Sequence, residues 1–596
     1  MSDFLYSSES KPHGMLSKCI RDIYHENPPE ITEYHGDWGS LAVSRNLYNG
    51  FQPHENDEHL TVVIGGPVLT FRDNRFLTYN DPFAGTLSVY ERIIEGSIKW
   101  DEDLSGPFVI LLIDKIHRKI QCITDLMLFI PVYKHCSNGL VCLGTHVDAL
   151  AKSAAQQHAI DKASLVDFII NSMVIHPYTM YQSIRQCTPA AIHYFQPSTS
   201  SFTELEPEVY WKPAVKSCYN NINEAALDLR NAITTYIYRA TEGMDHVAQF
   251  LSGGEDSRAV AGLLPKNLKK DAFVFLDFMN REGNIARKIS EKYGINLDVR
   301  FRKTKHYLNI LPEASDLVGS GQQYLNAHTL GFHRDCQLDQ YHAVFGGLLA
   351  NAFLKGSDSE KTKWQRRLSI IYEIVVMDER HFQPFRHDLF NDEILLEIDK
   401  RHRDFRNHFR DKKNDSLHDW FLNWPRIMGE AHPGIAVNRR LFRSYEPFMS
   451  TEVVKIASKI PLSWKLNRKV YLLAMRPFLK PAQWVPHGKG WLPYYNWWTN
   501  LPVRIFISFY RRIGRLMGFI KGNHGSWGDR NKLLDSLDTT KVPLIFAKGM
   551  ITLKSVITGD LDFGKLPRMQ QFNLFQTFYL LDSITDKKNI EYFHAE

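Results

Sequence analysis

Several kinds of signal are scarce in this chain of 596 residues, and each scarcity excludes a class of protein. No uninterrupted apolar stretch reaches the roughly 18 residues that a membrane-crossing helix needs. The opening MSDFLYSSESKPHG has no basic segment followed by a long apolar one, so no secretory signal is visible. The expectation is a cytoplasmic protein with, at most, peripheral membrane contact. Cysteines number 7, an odd count without C-x-x-C spacing, which argues for a reducing compartment and against a disulfide scaffold or zinc site. The 25 histidines are scattered and form no H-E-x-x-H motif, so no transition-metal centre is indicated. Lys plus Arg (72) exceeds Asp plus Glu (66) by only 6, a balance that by itself points to no partner, and without a basic patch no nucleic-acid partner is expected. Internal repeats and low-complexity tracts are also missing.

With 44% apolar and 12% aromatic residues the chain is globular. Its length implies roughly two to four domains. The stretch that organises the rest is HVAQFLSGGEDSRAVAGLL, His246 to Leu264. A short apolar run breaks at Ser252-Gly253-Gly254 and resumes with helical spacing at Ala259, Val260, Leu263 and Leu264, so it predicts strand, tight turn, helix. Two glycines let the backbone bring N–H groups close to an anion, and the following helix aims the positive end of its dipole at the same spot. Ser252 and Ser257 add hydroxyls, while Asp256 suits a hard cation riding on a phosphate.

LSGGEDSR resembles the SGGxDS signature of the ATP pyrophosphatase loop, and its surroundings resemble the synthetase half of the asparagine synthetase family. A Walker loop would need a lysine that this stretch lacks. The resemblance implies that ATP and Mg2+ are the cofactors, with Leu251, Ser252, Gly253, Gly254, Asp256, Ser257, Phe275 and Gly347 around the nucleotide. In the family a carboxylate attacks the α-phosphate, pyrophosphate leaves, and an amine then displaces AMP. DAFVFLDF and REGNIARKISEKYGI predict a second parallel strand and a crossover helix, and family members read adenine with the backbone of that strand, hence Phe275. HAVFGGLLANAFLKG occupies the place of SGxGxDExFGGY, so the second magnesium ligand becomes Asn351, and Leu348 stands where members carry Glu or Tyr. RRLFRSYEPFMS keeps the register of R-x-PFLD over Tyr445, Pro447, Phe448 and Ser450, with the motif's Arg and Asp replaced. Seven residues beyond the alanine of the Pro-Ala turn lies Lys489, which corresponds to the lysine that stabilises charge on the α-phosphate, the expected catalytic residue.

Upstream, LTVVIGGPVLT, GPFVILLID, KIQCITD and GLVCLGT predict a β-rich first domain. LSGPFVILLIDKIHRKIQCITD and TDLMLFIPVYK resemble the glutamine-hydrolysing domain of the same family through Asp125, Pro131 and Tyr133. The departures are chemical. Position 2 is Ser2 where the family has a cysteine nucleophile, the Arg of Arg-Asp is Thr124, and a glycine is replaced by Leu128. The implied fold is α/β and α+β: an N-terminal Ntn-hydrolase-like αββα sandwich, degenerate as a glutaminase, over residues 1–205. A doubly wound, parallel-sheet synthetase domain of the adenine-nucleotide α-hydrolase type follows over 216–500, and a helical C-terminal extension over 501–596. LPVRIFISFYRRIGRLMGFIKG predicts a basic amphipathic helix, with Arg504, Arg511, Arg512 and Arg515 among Phe506, Phe509, Ile513, Leu516 and Phe519.

The implied activity is an AMP- and pyrophosphate-forming amide ligase that joins a small-molecule, sugar or peptide carboxylate to an amine or ammonia without a working glutaminase. Alternatives are a lasso-peptide-type macrocyclase and a non-catalytic scaffold. A homodimer is compatible with this reading.

Overall fold

The computed structural model describes residues 2–197, 202–214, 218–356, 389–410, 428–517, 528, 533, 546–559 and 566–583, with the backbone alone at a few helical positions. The first domain is built on two antiparallel sheets. One runs in the order Ile184–Gln186, Tyr133–Ser137, Leu140–Gly144, Phe4–Ser7, Gly39–Ser44, Ile31–Gly36, and the other contains His59–Gly65, Phe108–Asp114, Lys119–Thr124 and Ala191–Pro197. Successive side chains of a strand point to opposite faces, and the cores divide accordingly. Phe4, Tyr6, Leu41, Val43, Val141 and Leu143 join the core shared with the second sheet. Leu5, Ala42 and Cys142, at the alternate positions, join the core beneath helices Met15–Arg21, Val147–Ser153 and Lys162–Asn171. Helix Ala84–Ile94 covers the far side, packing on His59–Gly65. The order helix, sheet, sheet, helix is the expected sandwich. Its strands read as continuous apolar runs because both faces are covered.

The second part holds a five-stranded sheet, parallel throughout, in the order Asn296–Phe301, Lys269–Leu276, His246–Phe250, Val344–Phe345, Ser444–Tyr445. The first three strands step outward on one side, and the fourth returns to the other side of His246–Phe250. That reversal is a topological switch point, where doubly wound sheets open a crevice at the carboxyl ends of their strands. Helix Glu255–Leu263 makes the first crossover and Arg281–Tyr293 the second. The latter begins on Asn280, whose side chain accepts from Glu282 N at 2.9 Å and Gly283 N at 3.2 Å, and ends on Gly294 at φ 63°.

Long-range contacts bind the two parts into one body. Tyr48 of the sandwich donates to Ser444 O at 2.5 Å, its ring edge-on to Tyr445. Asp3 is fully buried; its Oδ1 accepts from Arg439 Nη2 and Arg440 Nη2, both at 2.7 Å, and its Oδ2 accepts from Arg440 Nε at 2.8 Å. Burial alone would raise the Asp3 carboxyl, yet the two guanidinium groups outweigh it and hold the group well below the usual carboxylate range.

The helix predicted from DKASLVDFIINSMV, Lys162–Asn171, is buried on every face from Ala163 to Ile170. It lacks a solvent face because two distant elements cover it. The C-terminal helix Arg568–Ser583 sends Asn573 Nδ2 to Phe168 O at 3.2 Å and Ile169 O at 3.1 Å. From Asp392–Arg410, Arg401 pairs with Asp161 at 3.0 Å and His402 Nε2 lies 2.9 Å from Asp167. Chain read as a separate extension thus folds back on the sandwich. Helix Trp497–Leu516 runs through position 500, so the boundary expected there falls inside a helix. Its Phe506, Phe509 and Tyr510 are exposed, while Phe519 lies outside the described residues. Among the described residues no helix is long and apolar enough to cross a membrane, and the seven cysteines are unbridged.

Replacing Asp3 by Ala leaves two buried guanidinium groups without their anion, which costs about 3 kcal/mol or more. Denaturant titration of Asp3→Ala should show the unfolding midpoint falling correspondingly, whereas an unchanged midpoint would mean that the cluster contributes nothing to the joint.

Candidate active site

The glycine bend sits where the sequence puts it. Strand His246–Phe250 ends, Leu251 N donates to Phe273 O at 2.9 Å, and the chain turns through Ser252, Gly253 and Gly254 into helix Glu255–Leu263. Two hydroxyls and a carboxylate set the bend. Ser252 N donates to Ser257 Oγ at 3.1 Å, Gly254 N to Ser252 Oγ at 3.1 Å, and Gly253 N to Glu282 Oε1 at 2.7 Å. No side chain caps the helix, whose N-terminal end is open toward the crevice. From its other side, Arg258 is fully buried and donates to Val485 O at 2.7 Å and Pro486 O at 3.1 Å, fastening the loop that carries Lys489.

The crevice is a cavity of about 720 Å3. It is lined by Leu251, Ser252, Gly254, Asp256, Ser257 and Phe275 from the first two strands and the bend, by Gly347 and Asn351 from the fourth strand onward, and by Lys489 from the distant loop. All the sequence-predicted site residues except Gly253 therefore meet in one cavity, and Gly253 lies in the bend at its edge. Five basic side chains line it (Arg302, Lys355, Arg468, Lys489, Arg504) against three carboxyls (Glu255, Asp256, Glu446). An anion is the favoured occupant.

Phe275 is 8% exposed and its ring stacks on Phe332 at 4.3 Å, while its carbonyl accepts from Arg302 Nη2 at 3.0 Å. The ring thus serves the core, and the carbonyl serves Arg302. At Gly347 a Cβ would stand 3.1 Å from Asp256 Cβ, so a glycine lets the fourth strand's loop close on the helix.

Three residues central to the cavity were not singled out from the sequence. Lys355 Nζ lies 2.7 Å from Glu255 Oε1 and also contacts Asp256 Oδ1, and its cation sits 4.3 Å from the Tyr471 ring centroid. Arg468 pairs with Glu255 Oε2, donates to Tyr495 O at 3.0 Å, and stacks its guanidinium 4.1 Å from the Trp491 ring centroid. Asn467 and Arg468 both have positive φ, 58° and 60°, an unfavourable conformation for non-glycine residues that these contacts hold in place. Burial pushes Glu255 upward, yet Arg468 and Lys355 outweigh it and bring it to about 2. Burial, with Glu255 beside it, raises Asp256 despite Lys355. Glu446 accepts from Leu348 N at 2.9 Å, and burial pushes its carboxyl up to about 8. A signal for Lys355 was available: it stands one helical turn after Asn351 in helix Ala350–Lys355.

The family resemblance implies magnesium on Asp256 and Asn351. The donor set does not fit that ion. The cation already on Asp256 is Lys355, and Asn351 would contribute only a neutral amide, whereas magnesium is held by carboxylates and phosphates.

In the sandwich, Ser2 is 1% exposed and its carbonyl accepts from Arg439 Nη1 at 2.9 Å. Among the described residues the Ser2 Oγ has no hydrogen-bond partner. Thr124 donates to Thr188 O at 2.7 Å, a structural tie. Leu128, where the resemblance expects a glycine, has a left-handed backbone, φ 55°. Asp125 gathers the turn by accepting from Met127 N and Phe129 N at 3.0 Å, and burial raises it to about 7.

Comparison with curated proteins finds no match. Among solved structures, one titled "structure of the allosteric regulatory enzyme of purine biosynthesis" is 8% identical, with 50% of this chain and 80% of that chain covered at a TM-score of 0.23. The glutamine phosphoribosylpyrophosphate amidotransferase from B. subtilis, complexed with ADP and GMP, is also 8% identical, with coverage of 50% and 65% and a TM-score of 0.20. Residues 6–211 match the family described as a glutamine amidotransferase domain, the stretch that forms the two-sheet sandwich. The sandwich at the start of this chain is therefore similar, over residues 6–211, to the glutamine amidotransferase domain family.

Proposed function

We propose that the chain is an ATP-dependent amide ligase that converts a carboxylate to its adenylate and transfers the acyl group to an amine or ammonia. The observation that carries this reading is the uncapped helix N-terminus after the glycine bend, opening at the sheet's switch point into a cavity whose cations outnumber its carboxyls. A triphosphate fits that field. A substrate carboxylate oxygen attacks the α-phosphorus, the bond to the bridging oxygen breaks, and pyrophosphate leaves against the bend. An amine then attacks the acyl carbon, AMP departs, and the amine proton needs an acceptor.

Glu446 suits that acceptor role. It lines the cavity with a carboxyl poised at about 8, so its ionised fraction grows across the mildly alkaline range. Lys489, on the loop that Arg258 fastens, supplies a flexible positive charge for the departing nucleotide. The sandwich acts as a structural partner in this reading, with buried Ser2 locked by Arg439. Nitrogen then comes from ammonia or from an amine of the substrate.

Pyrophosphate release from ATP, assayed with ammonia and panels of small, sugar and peptide carboxylates, tests the proposal. Release that depends on one class of carboxylate is expected. If none releases pyrophosphate and calorimetry detects no ATP association in folded protein, the chain is a non-catalytic scaffold. Lys489→Ala should lower kcat by about 10²-fold and weaken ATP binding by a smaller factor. Ser2→Ala should leave ammonia-dependent turnover unchanged. The wild-type rate should climb with pH through about 8, where Glu446 loses its proton, and Glu446→Gln should flatten that limb.

A further inference from the structure

We propose that Lys355 is the resident cation of the nucleotide site, taking the place of a divalent metal ion beside Glu255 and Asp256. The inference rests on the reading of the cavity as a polyphosphate site and adds how its charge is managed. Lys355 and Glu255 are 5% and 4% exposed at their side chains, so the pair lies beneath the surface on which a ligand would rest. Lys355 reaches both carboxylates, and Arg468 closes the second oxygen of Glu255. Two carboxylates and two cations leave the cluster electrically neutral. A divalent ion placed there would be repelled by the ammonium group already in contact with Asp256 and would find both carboxylates already neutralised.

The neighbouring helix makes the same point from sequence. At Asn351, where the resemblance expects a metal-holding aspartate, the chain has a neutral amide. One turn further, the same helix delivers an ammonium group to the remaining aspartate. Loss of one acidic ligand and gain of one tethered cation keep the local charge close to that of a metal-loaded pair. Tyr471 completes the seat, its ring 4.3 Å from the Lys355 nitrogen and its hydroxyl donating to Glu255 O at 3.3 Å. The phosphates of a ligand would then meet protein cations, with Lys489 and Arg504 lining the same cavity.

Calorimetric titration of the full chain with inorganic pyrophosphate, in excess EDTA and in millimolar Mg2+, separates the alternatives. Affinities within about twofold of each other are expected, and binding tightened tenfold or more by Mg2+ would overturn the proposal. Lys355→Met should weaken metal-free binding by about tenfold or more and recover part of it when Mg2+ is added. Metal-free binding left intact by that variant would also overturn the proposal. If pyrophosphate binds the wild type under neither condition, the nucleotide reading fails, and the cation question is decided by Mn2+ resonance on the ligand-free protein. An undiminished free-Mn2+ signal supports Lys355 as the resident cation. A bound Mn2+ that Asp256→Asn releases refutes it, and this arm holds even if Lys355→Met does not fold.

Discussion

Two carboxylates placed side by side at the start of one helix repel each other, and the architecture around the cavity is organised to neutralise them. Glu255 and Asp256 are held there because the helix dipole favours negative charge in its first turn. Glu255 is buried and Asp256 half-buried, so water screens the repulsion only weakly. Lys355 answers from the helix after the fourth strand, and Arg468 answers from a strained turn between two later helices. Closing this cluster draws the fourth strand, the helix beyond it and the loop from His487 to Tyr495 onto the glycine bend.

The same logic joins the two parts of the chain. Asp3, one residue from the position where the resemblance expects a nucleophile, is committed to two arginines of the parallel-sheet part. A carboxylate with three guanidinium hydrogen bonds is a fastener, and the adjacent Ser2 is carried into the interior with it. The left-handed backbone of Leu128 is held because Asp125 accepts from several backbone N–H groups of the turn.

Much of this was legible in the linear chain. The strand, bend and helix around Gly253 follow from local apolar spacing and glycine's backbone freedom, both of which act over a few residues. The sandwich strands announce themselves as β-branched apolar runs, and Lys489 reaches the cavity at the spacing the resemblance implied. What misled was burial. DKASLVDFIINSMV reads as a one-sided helix because the two helices that cover its polar side come from chain far downstream. Phe275 reads as a base contact; it lines the cavity, with its ring stacked on Phe332 and its carbonyl engaged by Arg302, partners which no local pattern announces.

The sequence by itself determined which segments bend, which strands are covered on both faces and where an anion would be welcomed, because these depend on neighbours a few residues apart. Only the tertiary structure decided which cation stands beside Asp256, which carboxyl is poised near neutrality and what becomes of Ser2. Those outcomes depend on Coulomb energy and desolvation among Lys355, Arg468, Glu446 and Arg439, groups far apart in the chain whose charges interact strongly only after folding removes water from between them.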